Sequence, residues 1–327
     1  MIIIGIDVSK NTLDCALMRD DFAPKKAPVA TFANNATGVK RLLAWAKKRT
    51  GEAPESMTAV LEATGIYHET AAYALDDSGV TVVVLNPARA RDYARSQGRV
   101  NKTDRVDSQV LAQFGLTQPL PAWQPESAEI RLLRALAARL EALKKDLQRE
   151  LNRLEKAEVA GDSTEVVESI GLMRSQLESE IRRVEKLIDD HFDQHPGLRT
   201  DRALLETIPG IGPVVARMLC LLMHRRQFAS ARALAAFLGL VPSQRESGTS
   251  LRGQSRLSKN GQGAARATLY MAAVVAKQYN PDAKALYERL IRKGKAKKSA
   301  LCAVMRKLVQ ICFGVIKHQS PYRVQTV

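Results

Sequence analysis

From residue 1 to about residue 118 the chain alternates short apolar runs with helical stripes. Ile2 to Asp7 reads as a strand, Val8 to Thr12 as a turn, and Leu13 to Met18 as a second strand. Two short apolar runs joined by a polar turn predict an antiparallel hairpin. Pro28 to Phe32 predicts a third strand. After the Asn34-Asn35 turn, Val39, Leu42, Leu43 and Trp45-Ala46 fall on one helical stripe. Met57 to Glu62 then reads as a strand, Tyr67 to Leu75 as a helix and Gly79 to Leu85 as a buried, Val-rich strand. Buried runs separated by helical segments predict an α/β sheet with parallel central strands. A hairpin followed by β-α-β-α-β is the order expected of a ribonuclease H-like domain.

From Ile130 the period changes to seven. Leu133, Leu140, Leu147 and Leu154 recur as one position of a heptad, with Ile130, Ala137, Lys144 and Leu151 as its companion. Charged residues fill most of the rest, which predicts a coiled-coil-like helix. Gly161-Asp162-Ser163-Thr164 breaks it, and Asp162 with Glu165 is positioned to cap a second helix. That helix carries Val166, Ile170, Met173, Leu177, Val184 and Leu187 as its apolar stripe. The simplest arrangement is an antiparallel helical arm roughly 30–45 Å long. Lys144, at a core-type position, suits a register-setting role.

The third region, from about Thr200, is mainly helical. Leu204 to Ala216 contains Ile208-Pro209-Gly210-Ile211-Gly212, a helix-hairpin-helix pattern whose glycines allow a tight turn at a helix N-terminus. Ala233 to Leu240 is an apolar helix. A polar loop at 243–261 follows, then helices from about Gln262 to Gln278, Ala283 to Arg292 and Ser299 to Ile316. The expected organisation is therefore an α/β domain at 1–120, a helical coiled-coil hairpin at 121–198 that suits oligomerisation, and a basic, mainly α domain at 199–327.

Charge sharpens this division. The chain of 327 residues has a formal net charge of +16. From Leu251 onward there are 16 Lys or Arg against two acids, Asp282 and Glu288, so nearly all the surplus lies in the last quarter. A basic end points to a polyanionic partner, most simply nucleic acid. Cys15, Cys220, Cys302 and Cys312 form no C-x-x-C pair, so their spacing carries neither a zinc signature nor a disulfide framework. That usage fits a reducing cytoplasm. The opening residues lack the basic and long apolar regions of a signal peptide, and no run approaches the roughly 18 apolar residues of a membrane span.

Four acids carry the candidate chemistry. Asp7 and Glu62 each interrupt a buried strand, and Asp104 and Asp107 sit three apart at the start of a helix. A carboxylate in an apolar strand carries a desolvation cost, and acids at i, i+3 share a helix face and repel. Singly each has a plain structural explanation: helix-start acids suit the macrodipole, Asp7 could cap a turn, and Glu62 could pair with a base. Together they form an oxygen-only donor set that suits Mg2+ or Mn2+, with two ions spaced for phosphodiester chemistry.

The loop at 243–261 holds five serines, Arg245, Arg252, Arg256, Lys259 and three glycines. It reads either as a solvated loop or as a phosphate-gripping segment presenting a nucleophilic serine. Spacing does not choose among Ser243, Ser247, Ser250, Ser255 and Ser258, and no partnered histidine is evident. His224 is the nearest in sequence and reads as structural. The basic run Arg292-Lys293-Gly294-Lys295-Ala296-Lys297-Lys298 is a nucleic-acid-contacting segment or an exposed linker.

A family resemblance follows from these residues. Gly5-Ile6-Asp7-Val8-Ser9-Lys10, Leu61-Glu62-Ala63-Thr64-Gly65-Ile66-Tyr67 and Asn101-Lys102-Thr103-Asp104-Arg105-Val106-Asp107 resemble the DEDD transposases of the IS110 insertion-sequence family. Piv-type DNA invertases are relatives, and the acidic domain is similar to the RuvC junction resolvase. Ile208 to Gly212, Phe237 to Pro242, Glu246-Ser247-Gly248, Arg252-Gly253 and Ser258-Lys259 extend the resemblance over almost the whole chain.

The resemblance implies that Asp7, Glu62, Asp104 and Asp107 hold the metals and that Ser247 is the nucleophile of a phosphoserine-linked DNA recombination. It also implies a guide, the bridge RNA, pairing with target and donor double-stranded DNA, and a bacterial enzyme at the nucleoid during its reaction. Expected nucleic-acid contacts are Lys102, Gly210, Gly212, Arg245, Arg252, Arg256, Lys259, Arg292, Lys293, Lys295, Lys297 and Lys298. Expected self-association is a dimer or tetramer, with no membrane partner. The rival readings are a metal-dependent junction endonuclease using water, and a non-catalytic nucleic-acid-binding protein.

Overall fold

The computed structural model describes residues 1–19, 27–63, 65–97, 104–243, 246–247, 251–252, 256–258, 261 and 263–324. They form two compact units, Met1–Pro125 and Glu126–Val327.

The first unit is built on a five-stranded mixed sheet. Its strands are β1 (Ile2–Val8), β2 (Thr12–Arg19), β3 (Val29–Ala33), β4 (Met57–Glu62) and β5 (Thr81–Leu85), in spatial order β3-β2-β1-β4-β5. β1 pairs antiparallel with β2 from Ile2↔Arg19 to Val8↔Leu13, and parallel with β4 from Ile2↔Met57 to Ile6↔Leu61. β4 and β5 are also parallel. The Ser9 turn closes the hairpin: Ser9 Oγ accepts from Thr12 N–H at 2.9 Å.

Side chains alternate across a strand, so β1 supplies two cores. Ile2, Ile4 and Ile6 join Ala59 and Leu61 against α1 (Ala36–Thr50) and α2 (Tyr67–Asp76), through Val39, Leu42, Ala46, Ala71 and Leu75. Ile3 and Val60 face the opposite layer, formed by α3 (Pro87–Ser96) and α4 (Asp104–Thr117). Both α1 ends follow capping rules. Asn35 accepts from Gly38 N–H at 2.8 Å, and Gly51 (φ 76°) closes the C-terminus.

α4 lies unusually close to the sheet. A Cβ at Gly5 would fall 2.1 Å from Ser108 O and 2.3 Å from Ala112 N, while one at Gly115 would meet Val60 Cγ2 at 2.6 Å. Two glycines, one in the strand and one in the helix, remove the side-chain spacer that normally separates these layers.

The second unit opens with the arm, α5 (Ala128–Ala160) and α6 (Thr164–Gln194). At 33 residues α5 is about 50 Å long. Leu133, Leu143, Ile181, Val184 and Ile188 are buried, and Lys144 Nζ reaches Glu185 Oε1 across the arm at 2.7 Å. The expected α6 stripe is partly displaced. Val166, Met173 and Leu187 are exposed, and the buried line runs through Ile181, Val184, Ile188 and Phe192. The neighbouring Ile188 goes inward in place of Leu187 because the true stripe follows the 3.6-residue period toward the base of the arm. Ser163, not Asp162, is the N-cap of α6, and its hydroxyl, after the backbone, helps hold the Glu165 carboxyl below its usual range.

At the base of the arm the core continues into α7 (Pro196–Glu206), α8 (Pro213–Arg225), α9 (Ala231–Phe237), α10 (Gly263–Tyr279), α11 (Pro281–Arg292) and α12 (Lys297–His318). Glu126 links Arg134 (2.9 Å) and Arg225 (2.8 Å), tying the start of α5 to the end of α8. α12 is long and apolar enough to cross a membrane by composition, but Val304, Leu308, Cys312 and their neighbours are buried, as in the core helix of a globular unit.

Gly5→Ala should lower unfolding stability by about 3 kcal/mol, because α4 must retreat from backbone contact. Gly171→Ala, in α6 with open space around its Cβ position, should raise stability by about 0.5–1 kcal/mol. Denaturant unfolding of the two variants checks both signs.

Candidate metal centre and nucleic-acid surface

Strand parity decides where the acids of the first unit sit. Gly5 faces α4, so Asp7, two residues on, faces it too. Val60 faces Gly115 of α4, which puts Glu62 on the same side. The Ile6↔Leu61 register makes Asp7 and Glu62 neighbours at the C-terminal ends of two parallel strands.

The direction of α4 completes the geometry. Ser108 and Ala112 lie against Gly5, whereas Gly115 lies against Ile3 and Val60, so α4 runs opposite to β1. Its N-terminus therefore extends toward the strand ends that carry Asp7 and Glu62. Asp107 directly precedes Ser108, the point of closest approach, and Asp104 is the first residue of the helix. Asp7, Glu62 and Asp107 are half-buried and each makes polar interactions. The Asp104 side chain lies outside the described residues, as do all of Lys102 and its neighbours at 98–103.

Carboxylates at the ~5 Å spacing of neighbouring strands repel by about 3 kcal/mol at an effective dielectric constant of ~20. The positive end of the α4 dipole relieves part of this. Hard oxygen donors, with no nitrogen or sulfur among the four acids, fit Mg2+ or Mn2+ in chemistry. The close seating of α4 fits them in position.

In the second unit the polar loop proves to be partly paired. β6 (Pro242–Ser243) pairs antiparallel with β9 (Arg256–Leu257), and β7 (Glu246–Ser247) with β8 (Leu251–Arg252). In sequence the Glu246–Arg252 ladder nests inside the Pro242–Leu257 ladder; we call this pair of ladders the two-tiered finger, with Ser247 opposite Leu251 in its inner tier. Arg245, Ser250, Ser255 and Lys259 lie outside the described residues. For Ser243, Ser247, Arg252 and Arg256 only the backbone is described.

The base of the finger is anchored. Ser258 N–H donates to Val241 O at 3.0 Å, and Arg266 Nη1 donates to Gly261 O at 3.0 Å and Leu238 O at 3.4 Å. Gly261 (φ 143°) presses on Phe237 O, which a Cβ would meet at 2.4 Å. Ser258 Oγ is buried and has no hydrogen-bond partner among the described residues. A hydroxyl so enclosed is a poor nucleophile for a polymer substrate, which narrows the choice of serine that spacing left open.

The two hairpin glycines have different roles. Gly210 (φ 95°) is packed against α10, where a Cβ would lie 2.6 Å from Ala276 Cβ. Asn280 Nδ2 donates to Pro209 O at 3.3 Å, and Tyr322 N–H donates to Thr207 Oγ1 at 2.9 Å, bracing the same turn. Gly212, the N-cap of α8, has open space around its Cβ position.

Arg292, Lys293, Lys295, Lys297 and Lys298 are all exposed. Lys297 and Lys298 open α12, whose first turn has no acid. Cations at a helix N-terminus oppose the macrodipole, so this end of the unit concentrates positive potential.

His224, structural on its sequence pattern, has a partner in Cys220 one helical turn before it. The structure sets both against Asp201, with His224 Nε2 donating to Asp201 Oδ2 at 2.7 Å. The i, i+4 spacing of Cys220 and His224 on an apolar helix was the signal.

Residues 4–157 match the DEDD transposase family model of IS110 type, and residues 202–288 match the model described as "Transposase IS116/IS110/IS902 family". The chain is 32% identical over 329 aligned residues to the "Pilin gene-inverting protein" of Moraxella bovis, covering 98% of this chain and 97% of that protein. The protein of the same name from Moraxella lacunata matches over the same extent at 32%. An IS110 protein of Streptomyces coelicolor is 24% identical over 158 residues, 48% of this chain and 38% of its own length. The strand-end acids, the serine finger and the basic helical unit thus belong to one known lineage: the chain is a member of the IS110 family of transposases and DNA invertases, enzymes of DNA recombination.

Proposed function

We propose that the protein is an RNA-guided DNA recombinase whose first unit is a ribonuclease H-like, RuvC-like metal domain and whose nucleophile is Ser247. The observation that carries this reading is the gathering of Asp7, Glu62 and the start of α4 at one sheet end. The β3-β2-β1-β4-β5 order, with β2 antiparallel, supports the fold assignment.

Asp7, Glu62, Asp104 and Asp107 would hold two Mg2+ or Mn2+ ions. When bound, such ions supply Lewis-acid stabilisation of charge developing on phosphate oxygens. Ser247 Oγ attacks a backbone phosphorus, the ester bond to the leaving sugar oxygen breaks, and that oxygen takes up a proton as the seryl proton departs. The diester is conserved as a phosphoserine link, so a hydroxyl from a second strand can reverse the step onto a new partner. Hydrolysis by water would forfeit that conserved bond, which separates this reading from a junction endonuclease.

The basic surface at 292–298, with Gly212, Arg245, Arg252, Arg256 and Lys259, would contact phosphates of target and donor DNA and of the guide RNA. Lys102 would do so beside the acids. Base pairing by the guide would then carry sequence choice, leaving backbone recognition to the protein. The arm at 121–198 serves self-association as a dimer or tetramer. Exposed Val159, Val166, Leu172 and Met173 toward its tip favour this. The site of action is bacterial DNA in the cytoplasm.

Incubation with cognate DNA should give a covalent protein–DNA adduct that Ser247→Ala abolishes, with strand transfer falling by on the order of 10^4-fold or more. Free hydrolysed ends without any adduct would instead establish the endonuclease. Replacing Lys295, Lys297 and Lys298 by Gln should reduce the slope of log K against log salt concentration for DNA binding by about 0.9 for each phosphate that is no longer neutralised. An unchanged slope in a filter-binding series removes this surface from the interface. RNA should co-purify with the chain, and ribonuclease treatment should abolish recombination at a fixed DNA site. Recombination that survives the treatment would refute the guide.

A further inference from the structure

Away from the acids and the finger, the described residues contain a group of three metal-capable donors: Asp201 on α7, and Cys220 and His224 on α8. Their ligand atoms all lie within 4.8 Å of one another. Cys220 and His224, four apart, share one face of α8, and Asp201 approaches from the neighbouring helix. Asp201 and Cys220 are buried, whereas the His224 side chain is 33% exposed and leaves a path from solvent.

We propose that Asp201 Oδ2, Cys220 Sγ and His224 Nε2 form a site for a borderline divalent transition metal, zinc in its ordinary setting, that fastens α7 to α8. A mixed oxygen, sulfur and nitrogen set selects zinc-like ions and is wrong for Mg2+ or Ca2+. Three protein donors leave a fourth position for water, on the exposed His224 side.

The surroundings match this assignment. The second carboxylate oxygen of Asp201 accepts from Gln319 Nε2 at 2.8 Å, the kind of outer partner that orients a ligating carboxylate. Gln319 is the one non-glycine among the described residues with positive φ, at 48°. That backbone turn follows the end of α12, from which the Gln319 amide reaches Asp201.

Without metal, hydrogen bonds satisfy both Asp201 oxygens but give Cys220 little to do. Its thiol donates to Leu198 O at a long 3.9 Å. A dication bound between the Asp201 carboxylate and a Cys220 thiolate would leave the buried group neutral overall. The proton balance is simple: Cys220 releases its proton to solvent, and neutral His224 moves its Nε2 proton to Nδ1 by exchange with water.

The consequence is local. α7 and α8 are the two helices flanking the turn at 207–212, so an ion joining them would fix the angle of that hairpin. The proposal stands independently of the recombination chemistry, because the acids of the first unit offer only oxygen.

Cobalt(II) titration of the chelator-stripped full chain tests it. The expected result is a near-ultraviolet thiolate-to-cobalt band saturating at one ion per chain, displaced by zinc, unaffected by excess Mg2+ and absent from Cys220→Ser. Zinc should also raise the thermal unfolding midpoint of the wild-type chain but not of His224→Gln. No thiolate band in the wild-type chain would overturn the proposal, whatever the variants do. So would a band that persists in Cys220→Ser and disappears in Cys302→Ser, or a cobalt spectrum showing oxygen coordination alone.

Discussion

Backbone contact between α4 and β1 is the constraint on which the first unit turns. Ordinary helix-on-sheet packing keeps a layer of side chains between the two. Here Gly5 and Gly115 remove it, and Ser108 and Ala112 rest almost on the strand. The gain is precision: a helix seated on backbone has little room to slide or roll. Because α4 runs opposite to β1, the same seating brings its first turn to the strand ends at Asp7 and Glu62. The two glycines thus fix how closely the helix start and the strand ends approach.

The second unit solves a different problem, holding a polar, glycine- and serine-rich segment on an apolar helical base. The finger's described ladders are two residues long. Its support comes from below, through Val241, Gly261 and Arg266 to the end of α9. Residues Leu234, Leu238 and Leu240 beneath it belong to the same core as α12. The unit thus separates roles by depth, with apolar helices inside, an anchored finger above them and a lysine-rich helix start at the surface.

Much of this was legible in the chain. Ile2 to Asp7, apolar at nearly every position, announced a central strand buried on both faces, and the acids stood out as exceptions within such runs. The heptad at Leu133, Leu140 and Leu147 announced the arm. Harder features depended on partners remote in sequence. Nothing local distinguishes Gly5 as a seat for Ala112, or Gly210 as a seat for Ala276. The choice of Ile188 over Leu187 reflects where the arm meets the domain core, which a seven-residue template does not encode. The segment at 243–261 read as one polar loop because ladders of two residues are too short to leave an alternating pattern. Asp201, Cys220 and His224 escaped notice because one donor comes from a different helix.

The position of α12 in the chain carries a consequence for biosynthesis. Its buried face completes the core on which α9 and the finger rest, yet it is made after both. The first unit is complete once the chain to Pro125 has emerged, whereas the base of the arm shares its core with the helices that follow. The serine segment has no finished platform until α12 arrives from the ribosome. A prematurely terminated chain would therefore carry a finished first unit beside a second unit whose core is still open, so the base beneath the 242–257 ladders closes last, in molecules whose synthesis has run past α12.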